Sequence, residues 1–481
     1  MTKRTAPVGR TLGILSLSAL AYALAQTAVV PAIGALATGL HTSPQNVTWT
    51  LTGYLLSAAV LTPVLGRLGD MFGKKRLLVI ALVVFAAGGV VAAVGPNLGW
   101  AVAGRVLQGA GGGIFPLCFG IVRDEFPAAR RVSAMGLLSA IAGIGGGGGL
   151  LMGGLLIDHA SYHWIFWSGV MMALAAAVAA QLLVPEPGER RPGRVDLTGA
   201  GLLAAGVTLP LLAISQAQAW GWGDTKTLGL IGAGVAILAV FGFAETRVAE
   251  PLVDMKVLAR RPVLVTNIAT VLVGFGMFGA FMLIPQFIET PEAAGYGFGG
   301  SATQAGLIML PGCLMMLVAG PVSALVTQRF GARIALVLGS LITGAGLLLI
   351  AADHGSPAAV LGVTMVMFFG IGLAFAAMPN LIIDAVSPDQ TGQATGVNAL
   401  LRSVGSSLGS QLVAGILAGS VTAGRLVPTE RAYVVSFLIA AGVSLTAGIA
   451  ALFIPRGGAT EPIPMLEEIG AAGLVAVAEP E

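Results

Sequence analysis

The chain has 481 residues, 56% of them hydrophobic and only 10% charged, with a formal net charge of +3. An ordinary soluble domain carries about 25% charged residues, so the composition excludes a soluble protein and places the chain in a membrane. Cys118 and Cys313 lie in apolar runs and read as small packing residues, His41, His159, His163 and His354 form no metal-ligand spacing, and no phosphate loop or nucleophile elbow occurs; neither an enzyme, a cofactor, a metal nor a nucleic-acid partner is expected.

A bilayer core takes about 20 apolar residues per helix. The start, Met1 to Arg10, is basic and leads into a first run at 12–34. Ala23-Leu24-Ala25 imitates a signal-peptidase site, but the apolar run continues to about Leu40, which predicts an uncleaved spanning helix. Further runs follow at 48–68, 77–95, 100–122, 132–157, 164–184, 197–217, 227–245, 263–285, 303–325, 334–351, 358–383, 392–418 and 432–454. The expected fold is therefore an all-α membrane protein with fourteen transmembrane helices. An even count puts both termini on one side.

Lys and Arg near span ends stay in the cytoplasm. With both termini there, the cytoplasmic segments collect Lys3, Arg4 and Arg10, then Arg67 and Lys74 to Arg76, then Arg123, Arg130 and Arg131, and the later clusters at 190–194, 247–261 and 329–333. Only Lys226, Arg425 and Arg431 fall outside, and Arg105 and Arg402 fall within spans. The tryptophans Trp49, Trp100, Trp164, Trp167, Trp220 and Trp222 all sit at predicted outer ends, where indole rings favour the interface. A multi-pass protein of the plasma membrane with cytoplasmic termini is expected.

The fifth span contains GIGGGGGLLMGG, Gly143 to Gly154. Gly136, Gly145, Gly149, Gly153 and Gly154 follow a spacing in which steps of four share one helix face, where another helix can approach backbone to backbone. The spacing recurs 260 residues later as Gly396, Gly405 and Gly409. GRLGDMFGKK, Gly66 to Lys75, likewise has a weaker echo in ALVTQRFGAR, Ala324 to Arg333, at an offset of 258. These echoes predict a duplicated six-helix bundle, at 1–188 and 257–456, with two inserted helices and linkers at 189–256 and a cytoplasmic tail at 457–481. Two similar halves suit alternating access about a shared site.

At these residues the sequence resembles the major facilitator superfamily, and with fourteen helices it is similar to the drug:proton antiporter branch. GRLGDMFGKKRLL, Gly66 to Leu78, matches the signature loop between helices two and three; GRVLQGAGGG, Gly104 to Gly113, matches the fourth-helix signature; the glycine spacing matches the fifth-helix antiporter signature, with Leu150 where the family has proline. The resemblance implies that Gly66, Gly69, Asp70, Gly73, Lys74 and Lys75 form a conformational switch loop, and that Arg105 serves proton coupling. A plain polar turn at the loop, and an Arg105 that only bonds backbone carbonyls, are the competing readings. An arginine near mid-membrane costs at least about 2.5–3.5 kcal/mol and is tolerated mainly where paired or functional. Arg402 either shares that character or snorkels to the interface.

The first-helix carboxylate common in that branch is absent: Leu24 to Pro31 reads LAQTAVVP. Asp158 and Glu289, at span edges, are the remaining coupling candidates beside Arg105. The helices that line the cavity in similar transporters carry Tyr22, Gln26, Tyr54, Gln108, Asn267, Phe278, Asn380, Asn398 and Arg402 as substrate-cavity candidates. Arginines without a buried acid predict a neutral or anionic amphipathic substrate. The expected function is export of a small amphipathic molecule, a drug, antibiotic or metabolite, by proton antiport, with the proton gradient as energy source and a monomer favoured. Uptake or facilitated diffusion on the same fold, and a membrane sensor that does not transport, remain alternatives.

Overall fold

The computed structural model describes residues 8–42, 44–185, 196–248, 251–387, 390–421 and 427–455. The expected tail at 457–481 and the linker stretch 186–195 lie outside the described residues. In chain order the helices are α1 (Val8–Thr27), α2 (Ile33–Gly39), α3 (Pro44–Phe72), α4 (Lys74–Val94), α5 (Leu98–Gln108), α6 (Ile114–Glu125), α7 (Ala128–His159), α8 (His163–Leu183), α9 (Leu197–Trp220), α10 (Thr225–Glu245), α11 (Met255–Leu258), α12 (Arg261–Glu289), α13 (Ala302–Phe330), α14 (Ala332–Ala352), α15 (Pro357–Asp384), α16 (Thr391–Gly419) and α17 (Glu430–Ala451). A 3-10 turn, Gly109–Gly113, joins α5 to α6.

Twelve helical segments among the described residues are long and apolar enough to cross a membrane, with α5 through α6 counting as one, Leu98–Glu125. Two of the fourteen runs predicted from sequence do not meet that measure. The helix α9 contributes a shorter apolar stretch, Thr198–Ile214, and α16 interrupts its apolar residues with Arg402, Ser403, Ser406, Ser407 and Ser410. The first run also differs from expectation, because α1 stops at Thr27 rather than continuing to 34. Pro31 brings no N–H to a helix, and the chain turns there before α2.

Short connections reverse the chain after α3, α7 and α13. A single glycine joins α3 to α4 and another joins α13 to α14: Gly73 at φ 106° and Gly331 at φ 87°. Side chains rarely adopt that left-handed backbone, so the echo between the two loops extends to their geometry. Elsewhere side chains cap the helix starts: Asn97 accepts from the Trp100 amide, Asp224 from Lys226, and Ser301 forms a reciprocal capping box with Gln304. We call the end holding the α3–α4 connection the basic end, and the opposite one, where α5 and α8 begin, the tryptophan end.

Each half has its own apolar core. One gathers Leu15, Leu78, Phe85, Ile114 and Leu138 from α1, α4, α6 and α7, the other Phe287, Met309, Leu336, Phe368 and Phe437 from α12 to α15 and α17. The halves meet along two seams, α3 on α16 and α7 on α13. The pair α9–α10 lies across the first seam: Leu203, Val207, Leu211 and Phe241 cluster with Ala59 of α3 and with Val397 and Leu400 of α16.

At the basic end of this pair Glu245 is 2% exposed. Its Oε2 accepts from the Val253 amide at 3.0 Å, and the neighbouring Leu252 carbonyl accepts from Gln393 Nε2 of α16. A Glu245→Ala exchange leaves the buried Val253 N–H without its partner, a cost of about 1–3 kcal/mol. The expected result is faster amide exchange across 251–258 with the helices intact, measured by hydrogen exchange; unchanged protection there would refute the assigned contact.

Candidate functional site

The switch-loop residues converge where α3 meets α16. A Cβ on Gly66 would overlap the Gly392 carbonyl, and one on Gly392 would stand 2.8–2.9 Å from both Asp70 carboxylate oxygens. Asp70 is 8% exposed; its Oδ2 accepts from the Gln393 amide at 3.1 Å, and its Oδ1 lies 3.5 Å from Lys74 Nζ. Lys74 Nζ also donates to Asp124 Oδ2 at 2.6 Å, tying α4 to α6. Gly69 leaves room for Leu117, and Gly73 makes the reversal. Lys75 is half-buried and takes no part in this network.

Arg123 extends the junction. Its guanidinium donates to the Val386 and Ser387 carbonyls at 2.9 and 3.2 Å and to Thr391 Oγ1, joining α6 to the α15–α16 connection. Sequence reasoning placed Arg123 only among the interfacial positive charges and did not single out Gln393. Their partners lie 141 to 323 residues away, and no local pattern marks such a pairing.

The glycines of α7 serve two faces. On one, Gly145, Gly149 and Gly153 meet α1: Cβ atoms there would overlap Ala23, the Leu24 carbonyl and the Ala28 carbonyl respectively. Thr27 Oγ1 strengthens that contact by donating to the Gly146 carbonyl at 2.7 Å. On the other face Gly136 packs against the Gly320 backbone, Gly143 against Met316 and Gly147 against Cys313 of α13. Gly154 is near Thr303 Oγ1, which donates to Asp158 Oδ2 at 3.0 Å. The four-residue steps identify the α1 face; the α13 face is built from Gly136, Gly143 and Gly147, which lie off those steps.

Two exchanges separate these roles. Gly149→Val drives a branched side chain into the α1 backbone and is expected to lower thermal stability in detergent markedly, whereas Gly148→Ala, whose nearest neighbour would be Leu24 Cδ2 at 3.3 Å, retains most of it. Equal damage from the two would mean that glycine flexibility rather than close packing matters.

Further in, Arg105 is fully buried. Its Nε donates to the Thr50 carbonyl at 3.3 Å, and its Nη1 donates to the Ala25 carbonyl at 3.2 Å and to Gln108 Oε1 at 2.9 Å. The guanidinium carbon stands 4.0 Å from the Tyr54 ring centroid, close enough for a cation–π contact. Tyr54 stacks on Tyr22 at 5.9 Å, and Tyr22 meets Phe115 edge-on at 6.0 Å. The Nη2 group of Arg105 has no hydrogen-bond partner among the described residues. The 3-10 turn shapes this region: Gly109 and Gly112 lie directly against Ser57, Ala58 and Thr62 of α3, and Gly111 against Tyr22 and Phe85.

The second half contributes another polar group. Asn398 Nδ2 donates to Asn267 Oδ1 at 2.9 Å and to Thr270 Oγ1 at 2.8 Å, bridging α16 and α12. Asn380 turns back on its own helix, donating to the Ala376 carbonyl at 2.8 Å. Arg402 lies over the Phe375 ring with 4.6 Å from guanidinium carbon to centroid. Gln26 is half-buried on α1, and the Phe278 side chain lies outside the described residues. Asp158 and Glu289 are both exposed at the tryptophan end, and neither shares a hydrogen bond or ion pair with Arg105.

Comparison with known proteins bears on this geometry. The family model described as Major Facilitator Superfamily matches residues 15–410 and 266–468. The Tetracenomycin C resistance and export protein of Streptomyces glaucescens is 31% identical over 420 residues, which is 85% of this chain and 76% of that protein. The Multidrug resistance protein B homolog of Mycobacterium tuberculosis is 27% identical over 429 residues, covering 88% and 78%. The Multidrug transporter protein MdtP of Bacillus subtilis is 25% identical over 435 residues, covering 89% and 78%. In fold, the chain matches the human organic anion transporter MFSD10 at a TM-score of 0.63 and 17% identity, over 92% of this chain and 99% of that one.

Proposed function

The chain belongs to the Major Facilitator Superfamily, and we propose that it is a secondary active exporter, moving small amphipathic molecules out of the cell in exchange for protons by alternating access. Family members are carriers and carry out no chemical step on their cargo. The observation that carries this reading is the pair of glycine-lined seams, α3 on α16 and α7 on α13, flanking the buried Arg105. Surfaces this close can separate and re-form as rigid bodies, because few side chains need to repack. The similarity to a Tetracenomycin C resistance and export protein and to the Multidrug transporter protein MdtP supports this direction.

Alternating access then assigns the contacts a state. The junction of Asp70 with the Gln393 amide and of Arg123 with the α15–α16 connection closes the basic end, so the conformation is the one in which that end is sealed. The basic clusters favour the cytoplasmic side for that end and for both termini. We take α9 and α16 as crossings too, giving fourteen: at about 1.5 Å per residue their 24 and 29 residues exceed a hydrocarbon core of about 30 Å. On this reading α9 and α10 are the pair inserted between two six-helix bundles, and Arg105, with Asp158 and Glu289 at the outer edge, are the groups through which a proton is coupled.

Expression in a drug-sensitive host with a panel of toxic amphipathic compounds tests the proposal. Resistance that appears on expression and vanishes with an uncoupler is the expected result. Unchanged sensitivity to every compound would sink export, and efflux that survives collapse of the proton gradient would sink proton exchange.

A further inference from the structure

Arg402 lies near the middle of the 29-residue α16, at a depth where a charge is costly unless something answers it. Arg105 shows how a buried arginine is largely satisfied here: backbone carbonyls and a glutamine take up the donors of Nε and Nη1, an aromatic ring covers its face, and only Nη2 is left over. Arg402 differs. Its guanidinium rests on the Phe375 ring and, among the described residues, makes no hydrogen bond or ion pair with any protein group. A ring face engages the flat of a guanidinium and leaves the five N–H groups around its edge unused.

The surroundings hold the side chain in place rather than letting it reach an interface. Gly274 of α12 makes room for its stem, since a Cβ there would stand 3.3 Å from Arg402 Cγ. Across the boundary between the halves Tyr22 lies within electrostatic reach of both Arg402 and Arg105, and the orphan Nη2 of Arg105 adds a second unused donor. Arg402 and Tyr22 are only half-buried, so a ligand can reach them. No carboxylate is paired with either arginine among the described residues.

We propose that Arg402 recognises an acidic group on the transported molecule, and that the cargo class is an aromatic acid: a carboxylate, sulfonate or phenolate on a flat apolar body. The acid meets the free guanidinium donors, where charge-assisted hydrogen bonds are strongest, and the ring lies among Tyr22, Phe115 and Phe375. The inference rests on the export reading above. A bound anion from the bilayer, a lipid phosphate, would satisfy the same chemistry, and the test separates the two.

The test uses three compounds on one scaffold, 2-naphthoate, 2-naphthamide and 2-naphthylmethylammonium, in proteoliposomes of the full chain under a pH gradient. The membranes are phosphatidylcholine alone or phosphatidylcholine with phosphatidylglycerol. The wild-type protein is expected to move naphthoate at least about tenfold faster than the amide, as one well-formed charge-assisted contact allows, and in both membranes. Arg402→Gln should lose that preference while still moving the amide, and Arg402→Lys should keep part of it. Transport of the cation as fast as the acid, or an acid preference that survives in Arg402→Gln, would overturn the inference. So would a preference seen only without phosphatidylglycerol, which assigns the site to a lipid headgroup. If toxic amphipathic compounds are exported in cells but naphthoate is not moved, the anion site fails and export stands; if nothing is exported in either assay, the export reading itself fails.

Discussion

Replacing Gly66 with valine is expected to lower export about ten- to hundredfold while the protein still reaches the membrane. The Gly66 position faces the Gly392 carbonyl so closely that even one methyl group would overlap backbone, and backbone on two long helices cannot swing aside as a side chain can. Overpacking of this kind costs about 1–3 kcal/mol, and about 1.4 kcal/mol is one decade in a population. The cost falls only on the conformation in which α3 and α16 touch at the basic end, so the exchange shifts the balance towards the conformation open there. Asp70 loses the Gln393 amide at the same time, since Gly392 and Gln393 move together.

A reporter cysteine at Thr395, 4% exposed next to Gly396, reads that shift, because both native thiols are themselves buried. Labelling from the basic side should rise in Gly66→Val. A variant that exports normally, or one that loses export with no gain in labelling, would show that the close approach of these helices does not control the switch. Gly392→Val is the mirror test and should behave alike, although it also presses on the Asp70 carboxylate.

The sequence made some of this visible and hid the rest for physical reasons. The glycine loop Gly66 to Lys75 was readable because a reversal in one residue demands glycine at φ 106° and leaves a fixed local pattern. The repeat of that loop at Gly331 was readable for the same reason. What the loop touches was not, because Gln393 and Arg123 are drawn in by packing between halves, which no periodicity encodes. The α7 glycines show the same division: steps of four reveal one smooth face, whereas the second face against Met316 and Cys313 becomes visible only once α13 is in place. Arg402 reads from sequence as either snorkelling or lining a cavity, and its neighbour Phe375, on a different helix, is invisible to any local pattern. No Asp or Glu lies in the core of a predicted span, so the sequence points only to edge acids such as Asp158 and Glu289, and the geometry brings neither into contact with Arg105.

Arg105→Lys is expected to lose most export, about a hundredfold, and is the sharpest test of what the buried arginine does. Its planar fork reaches Thr50 on α3, Ala25 at the end of α1 and Gln108 on its own helix at once, while its flat face covers Tyr54. A lysine ammonium is a point charge with no such fork. It can meet one of the carbonyls and must leave the others, and breaking a buried charged contact costs about 3–5 kcal/mol. Because the three partners lie on three helices, that loss loosens the junction of α1, α3 and α5 rather than a single bond. The two roles open to Arg105, holding the helices and coupling protons, predict different residues of activity. If it only holds helices, Arg105→Lys slows uphill export and downhill exchange of the same cargo in equal measure. If it couples protons, exchange down a concentration gradient survives while transport driven by a pH gradient is lost. Near-wild-type uphill export in Arg105→Lys would contradict both.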